Sequence, residues 1–370
     1  MSLPTIETPS TPDDECLSLT PARQRPRTTW FSHKQSAYVG IDIGEQAVRI
    51  ATLREIHHSG GEFAWTDRYQ FSLPTKLDQE LSPEWLRSVM AVIPERLPRC
   101  IEGENNLVAI ALPIAWTHYQ TIAGHELAQS RLRCSEMFAQ SIFQSPAHLC
   151  HWPVVGLHHG KPCIDDQYVI AATAERTVCQ IADLVAACGY NVQSVLPHGV
   201  ALAHAARALT GVDAQCVLWL NHGSALIAVR HKTGVGLTRT LPSVPNRILR
   251  LVTADRPLDA HTLRPYLTEI ATEFRATARY AAHADMSRVS KKPILIAGPI
   301  AEIDGVDETI ATLTNTPVAL WSYIGRNRPA TLSKLANRDE NFVRRLDSSF
   351  AGALSLAMAA ARGSSKGYGQ

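Results

Sequence analysis

The residues that most constrain the fold of this chain lie near its start, in the run Tyr38-Val-Gly-Ile-Asp-Ile-Gly44. Apolar residues precede an Asp-x-Gly turn and resume in alternation as far as Leu53, which predicts two strands joined by a tight hairpin. The backbone N–H groups beside Gly44 can converge on an anion, because glycine reaches backbone angles closed to other residues, and Asp42 can hold the water shell of a metal ion. The pattern is equally typical of an ordinary Asp–Gly hairpin that binds nothing.

The composition indicates a globular protein with more than one lobe. At 370 residues the chain exceeds what one hydrophobic core usually serves, and 45% of its residues are hydrophobic and 19% charged. A net charge of +2 gives no reason to expect nucleic acid as a partner. The eight cysteines include no C-x-x-C pair, so we expect buried thiols in a reducing compartment rather than a zinc or redox site. No apolar run approaches the ~20 residues that span a bilayer, and no secretory signal is present, so the predicted location is cytoplasmic.

A second stretch repeats the first. Residues 217–220 form an apolar run that ends at Asn221-His-Gly223-Ser224, and residues 225–229 are apolar again. Such a repeat predicts duplicated lobes that face each other across a cleft. The predicted boundaries are residues 1–35 for a disordered tail, 36–210 for the first lobe, 115–166 for a subdomain inserted into it, 211–362 for the second lobe and 363–370 for another disordered tail.

Other segments follow the alternation of strands and helices that is typical of α/β proteins. The inserted subdomain is predicted to hold two strands and a helix near residues 127–143, while residues 168–173 are assigned to the main sheet. The second lobe is predicted to contain a long helix over residues 263–282, a buried strand over 293–298 and a terminal helix over 350–361.

Three of these segments together resemble a known superfamily. Asp42-Ile-Gly44, Asn221-His-Gly223 and Ile294-Leu-Ile-Ala-Gly298 are similar to the two phosphate segments and the adenosine segment of the actin-like ATPases. The resemblance implies an α/β, two-lobed, actin-like (ribonuclease H-like) fold. Within the superfamily the chain resembles the PilM family of type IV pilus assembly proteins, which is related to FtsA and has a comparable inserted subdomain.

The resemblance also implies a nucleotide site for ATP with Mg²⁺. Asp42 would serve the metal, Glu273 would reach the ribose, and no residue is assigned a catalytic role. The residues that the resemblance places at the nucleotide are Asp42, Gly44, Glu45, Arg49, Asn221, Gly223, Ser224, Glu273, Gly298 and Pro299.

Several positions depart from the family pattern in ways that weaken nucleotide binding. Asn221 replaces an Asp, which removes a carboxylate that favours hydrated Mg²⁺. Glu45 stands where the family has a small hydroxyl residue, and a carboxylate repels a triphosphate. Pro299 replaces a glycine and removes one backbone donor, and the segment between Arg239 and Glu273 is short, which predicts a reduced outer subdomain. The site is therefore expected to be degenerate.

The function that the resemblance implies is that of a cytoplasmic scaffold at the inner face of the inner membrane. Its partner would be a PilN-like inner-membrane protein, whose cytoplasmic N-terminal segment would lie in a groove beside the inserted subdomain. Membrane association would come through that partner only, and a homo-oligomer is left open.

Two alternatives share the fold: an ATP-binding switch or slow ATPase, and a protein similar to the cytoplasmic domain of type II secretion. The second is less expected because that family continues into a membrane segment, and this chain ends at Gln370. A sugar kinase is disfavoured because no glycine-flanked catalytic Asp lies between the two hairpins.

Overall fold

The computed structural model describes residues 36–56, 62–73, 83–98, 100, 105–123, 146–153, 167–231, 234–245, 248, 258–283, 292–324 and 347–365. The strands are β1 (Ser36–Ile43), β2 (Ala47–Glu55), β3 (Phe63–Ser72), β4 (Asn105–Ala111), β5 (His118–Ala123), β6 (Ala147–Pro153), β7 (Gln167–Ala174), β8 (Asn191–Val195), β9 (Cys216–Leu220), β10 (Ala225–His231), β11 (Gly234–Leu241), β12 (Ile294–Ala297) and β13 (Val318–Leu320). The helices are α1 (Pro83–Arg96), α2 (Glu175–Ala187), α3 (His198–Thr210), α4 (Ala260–His283), α5 (Val306–Thr314) and α6 (Ala351–Ser365).

Two five-stranded sheets are built to the same plan. The first has the order β3-β2-β1-β4-β8 and the second the order β11-β10-β9-β12-β13. In each, three antiparallel strands come first, and two parallel strands extend the sheet beside its first strand. The predicted duplication and the predicted α/β two-lobed fold are confirmed.

Helices cover both faces of each sheet, which explains why the central strands are mostly apolar. Helices α3 and α6 lie between the sheets and share one core with residues of β4 and β9. The other face of the first sheet packs on α1 and α2, and the other face of the second sheet packs on α4 and α5. The result is an alternation of helix, sheet, helix, sheet and helix layers.

The approach of α6 to the first sheet depends on Gly40, in the middle of β1. A Cβ atom at this position would lie 1.8 Å from the carbonyl oxygen of Ala353 and 2.5 Å from the backbone nitrogen of Ala357. No side chain fits in that space. Glycine therefore sets the distance between β1 and α6.

A third sheet of three strands, in the order β5-β7-β6, stands apart from the other two. The assignment of residues 168–173 to the main sheet is wrong, because β7 pairs antiparallel with β5 and β6. Its apolar pattern fits either sheet, since a buried central strand reads alike in both. The predicted helix near residues 127–143 and the tail over 1–35 lie outside the described residues.

Two smaller expectations also need correction. Helix α6 continues to Ser365, past the predicted end at residue 361 and into the predicted tail. Of the five cysteines in the described ranges, only Cys216 is buried, whereas Cys179 is exposed and Cys100, Cys150 and Cys188 are half-buried. The expectation of buried thiols is wrong for most of them.

Candidate functional site

The two hairpins that the sequence singles out have similar turns. The N–H of Gly44 donates to the carbonyl of Ala47 at 3.0 Å, and the N–H of Asn221 donates to the carbonyl of Ser224 at 3.0 Å. Each bond closes the loop between an inner strand and the next strand of its sheet. Gly44 is not among the glycines with positive φ in the described residues, so the expectation that it uses special backbone angles is wrong.

The two turns meet through the side chain of Glu45. Its Oε2 accepts a hydrogen bond from Asn221 Nδ2 at 2.5 Å, and its Oε1 accepts one from the hydroxyl of Ser224. Glu45 is only 2% exposed. Gly223 leaves room for it, because a Cβ there would lie 3.1 to 3.3 Å from three carbon atoms of the Glu45 side chain. A residue of the first lobe thus occupies the space between the hairpins and contacts three residues of the second.

The orientation of the Asn221 amide is fixed by its own turn. The N–H of His222 donates to Asn221 Oδ1 at 2.9 Å, which directs the amide nitrogen towards Glu45. An Asp at this position would turn a second carboxylate oxygen towards Glu45, and like charges in contact repel. Asn221 and Glu45, two residues that differ from the family pattern, therefore complement each other, because the Asn221 amide donates a hydrogen bond that an Asp carboxylate could not.

Buried charges surround this contact. Arg49 is 7% exposed, and burial lowers its pKa, while Asp42, Glu302 and Glu45 oppose that change. Burial also raises the pKa of Glu45, against the hydrogen bond from Ser224. Burial raises the pKa of Glu302 in the same way. Arg49 thus interacts with carboxyl groups of both lobes, and Arg68 also interacts with Glu302.

Asp42 faces α3 and α6. Its Oδ1 lies 3.3 Å from Nε2 of His198, the first residue of α3. The His198 ring contacts the ring of Trp219, with 4.3 Å between the ring centroids. A Cβ at Gly352 would lie 2.5 Å from both Asp42 Oδ2 and His198 Nε2, so α6 closes this side of the site. His198 was missed by the sequence reasoning. A histidine after a proline at a helix start carries no signal of its role.

The predicted adenosine segment lies next to the second hairpin. Gly298 has φ +98°, and a Cβ there would lie 2.4 Å from the carbonyl oxygen of Leu220, the last residue of β9. Pro299 begins a 3-10 turn, Pro299–Glu302, whose Glu302 interacts with Arg49. Glu273 instead forms an ion pair with Arg239 of β11, with 2.6 Å between Nη2 and Oε2. No contact joins Glu273 to either hairpin among the hydrogen bonds and ion pairs of the described residues.

The space between the two hairpins is small and holds a carboxyl group. The cavity between the hairpins, lined by Asp42, Glu45, His198, Asn221 and Ser224 among others, has an empty volume of about 190 Å³. Glu45 takes up the Asn221 and Ser224 donors, and its carboxyl group, when ionised, would repel a phosphate. Within the described ranges no three His, Cys, Asp or Glu side chains gather into a metal-binding group.

A larger groove lies between the third sheet and the first. It has an empty volume of about 360 Å³. Its lining residues are Leu112 and Thr117, His148 and Cys150 of β6, Ala171, Ala172 and Thr173 of β7, and Val195, Leu196 and Pro197 at the end of β8. Burial raises the pKa of the Cys150 thiol to about 12, so this cysteine is a neutral lining group.

The layered plan, the paired hairpins and the glycine-bounded segment after β12 define a fold class. The chain has the fold of the actin-like ATPases. It is similar to the solved structure of a PilM–PilN type IV pilus biogenesis complex, with a TM-score of 0.62 and 14% identity, covering 87% of this chain and 98% of that one. At this identity the likeness establishes a common fold.

Two other solved structures are similar over the same region. They are the ethanolamine utilization protein EutJ from Carboxydothermus hydrogenoformans (TM-score 0.48, 13% identity, 87% of this chain and 89% of that one) and the cytoplasmic domain of EpsL, an inner-membrane component of the Vibrio cholerae type II secretion system (TM-score 0.37, 10% identity, 85% and 95%). No protein-family model matches the chain, and no curated protein matches it. Among the described helices, none combines the length and the hydrophobicity that crossing a bilayer requires.

Proposed function

We propose that this protein is an actin-like scaffold of a type IV pilus assembly complex, held at the inner face of the inner membrane by a PilN-like membrane protein. The observation that carries the proposal is the groove between the third sheet and β8. The likeness to a PilM–PilN complex supports it, because that structure contains a partner of the stated kind.

The groove suits an extended peptide segment. Six of its ten lining residues are apolar. Among the described strands, β8 ends the first sheet and β6 ends the third, so each has one side without a neighbouring strand. Edge strands hold extended peptides through main-chain hydrogen bonds, while pockets select alternate side chains. An apolar side chain of the partner would enter the space beside Leu196 and Ala172.

The same proposal includes a degenerate nucleotide site. Glu45 takes the hydrogen-bond donors of the second hairpin, so a phosphate would have to displace its carboxyl group to reach them. Partner binding would then proceed without ATP. Isothermal titration of the wild-type protein with Mg-ATP should give no binding heat at high micromolar protein, and saturable heat would establish the ATP-dependent alternative.

Peptide binding tests the scaffold proposal directly. The probe is the N-terminal cytoplasmic segment of a PilN-like protein, labelled for fluorescence anisotropy. His148 lines the groove and is exposed, so His148→Trp should fill the groove without disturbing the core, and should weaken binding by about tenfold or more. His151 lies on the same strand but on its opposite face, because side chains alternate along a strand.

His151→Trp is therefore the matched control and should bind as wild type does. Absence of binding to the folded wild-type protein would refute the proposed partner. Equal loss in both variants would place the binding site elsewhere.

A further inference from the structure

We infer that the carboxyl group of Glu45 is a built-in ligand of the second hairpin, which fills a carboxylate-binding pocket formed by Asn221, Gly223 and Ser224 and thereby fastens the two lobes together. In this reading the pocket between the lobes is occupied from within the chain. Lobe closure then requires no nucleotide.

The contacts specify a ligand with two oxygens. Asn221 Nδ2 serves Oε2 and the Ser224 hydroxyl serves Oε1, so each carboxyl oxygen has its own donor. Both donors belong to one four-residue turn, which its own backbone bond holds in shape. The backbone of the turn is therefore held in shape without the help of Glu45, as in other preorganised anion sites.

The amide at position 221 makes the pocket selective for this occupant. Its oxygen is held by the N–H of His222, so only its nitrogen is presented to the ligand. Glu45 lies close to Gly223, where any side chain would meet its carbon atoms. The Ser224 hydroxyl can donate to an ionised carboxyl or accept from a protonated one, so the pocket holds Glu45 in both states.

The contact joins parts of the chain that are far apart in sequence. Glu45 and its two donors are separated by 176 and 179 residues, and they belong to different sheets. The backbone carbonyl of Glu45 also accepts a hydrogen bond from Trp85 Nε1 at 3.3 Å, which ties α1 to the same turn. Loss of the carboxyl group should therefore loosen both hairpins rather than one.

Chemical rescue tests the inference. Glu45→Ala removes a CH₂–COO group, and acetate has the same number of heavy atoms and the same pair of oxygens. The variant should melt about 3–5 °C below wild type, because two buried donors lose their partner. Acetate at pH near 5 should restore about half of that loss or more, relative to chloride at equal ionic strength.

Wild type and Glu55→Ala, which removes an exposed carboxylate of β2, should gain nothing from acetate beyond the chloride effect. Hydrogen exchange at Gly44 and Asn221 should rise together in Glu45→Ala and fall together on adding acetate. Equal gains in all three proteins, no gain in the variant, or faster exchange at only one hairpin would overturn the inference.

A second pair of variants keeps the test informative if Glu45→Ala does not fold. Asn221→Ala removes one donor, whereas Asn221→Asp keeps the shape but places a second carboxylate against Oε2, 2.5 Å from the present nitrogen. Measured at pH 8, where a proton shared between the two carboxyl groups is disfavoured, the Asp variant should melt below the Ala variant, and an Asp variant that melts at or above the Ala variant would refute the role of Glu45. Peptide binding in the groove uses other residues, so this result and that of the scaffold test can differ.

Discussion

The packing of helix α6 on β1 predicts a large loss of stability for Gly40→Ala. The added methyl group would lie 1.8 Å from the carbonyl oxygen of Ala353, 2.5 Å from the nitrogen of Ala357 and 2.8 Å from the carbonyl carbon of Ala353. Favourable contacts between non-bonded heavy atoms begin near 3.5 Å, so helix and strand would have to separate by more than 1 Å. The obstructing atoms are backbone atoms and cannot rotate away.

Overpacking in a core typically costs about 1–3 kcal/mol, and this case belongs at the upper end because α6 is packed between two sheets. We expect a loss of about 3 kcal/mol in the free energy of unfolding. With an unfolding entropy of about 2.1 cal/mol/K per residue, that corresponds to a fall of about 4 °C in the melting temperature of a 370-residue protein.

Differential scanning calorimetry measures this shift, with Gly44→Ala as the matched control. The same methyl group at Gly44 would lie 3.1 Å from the carbonyl oxygen of Ala47 and 3.7 Å from two side-chain nitrogens, so its effect should stay within about 1 kcal/mol. A Gly40→Ala protein that melts within 1 °C of wild type, or a control that loses as much, would refute the packing argument.

Two further predictions concern charged groups. Burial raises the pKa of Glu45 above its ordinary value of 4.5, so as pH rises from 4.5 the unfolded chain loses this proton first and the folded protein loses stability relative to Glu45→Gln. Urea unfolding of both proteins should be followed from pH 4.5 upwards. The difference in free energy of unfolding between wild type and Glu45→Gln should become less favourable to wild type as pH rises, and the neighbouring Asp42, His198 and Arg49 are the same in both proteins. A constant or growing difference in favour of wild type would contradict the raised pKa. Arg239→Ala removes the ion pair with Glu273. The two side chains are 47% and 31% exposed, so the free energy of unfolding should fall by no more than about 1 kcal/mol and peptide binding should be unchanged. A loss above 2 kcal/mol in the same urea assay would show that the pair does more than a surface contact.

The sequence was sufficient for the parts of this protein that depend on local pattern. Alternating apolar residues on either side of Asp42-x-Gly44 and Asn221-x-Gly223 predicted both hairpins, because a strand–turn–strand pattern is specified within about 15 residues. The repetition of that pattern predicted two lobes built alike, and the two five-stranded sheets share one plan. The duplication predicted lobes that face each other across a cleft, and the contacts of Glu45 join the two turns there.

Other features depended on which elements pack together. The sequence marked residues 168–173 as a buried strand but could not choose between two sheets, since burial on both faces gives the same apolar run. His198 and Glu302 have no motif around them, and they join the site because α3 and the turn after β12 reach it in three dimensions.

Glu45 shows most clearly the difference between what the local sequence and the tertiary structure determine. From the sequence it was a carboxylate that repels a triphosphate and so weakens nucleotide binding, because only its local neighbours could be considered. In the folded chain it is buried and paired, because its two donors come from a hairpin 176 and 179 residues away. The local sequence pattern determines strands and turns, because these depend on short-range sterics and solvent exposure. The partner of a buried polar side chain depends instead on which distant segment the packed helices and sheets bring within hydrogen-bond distance.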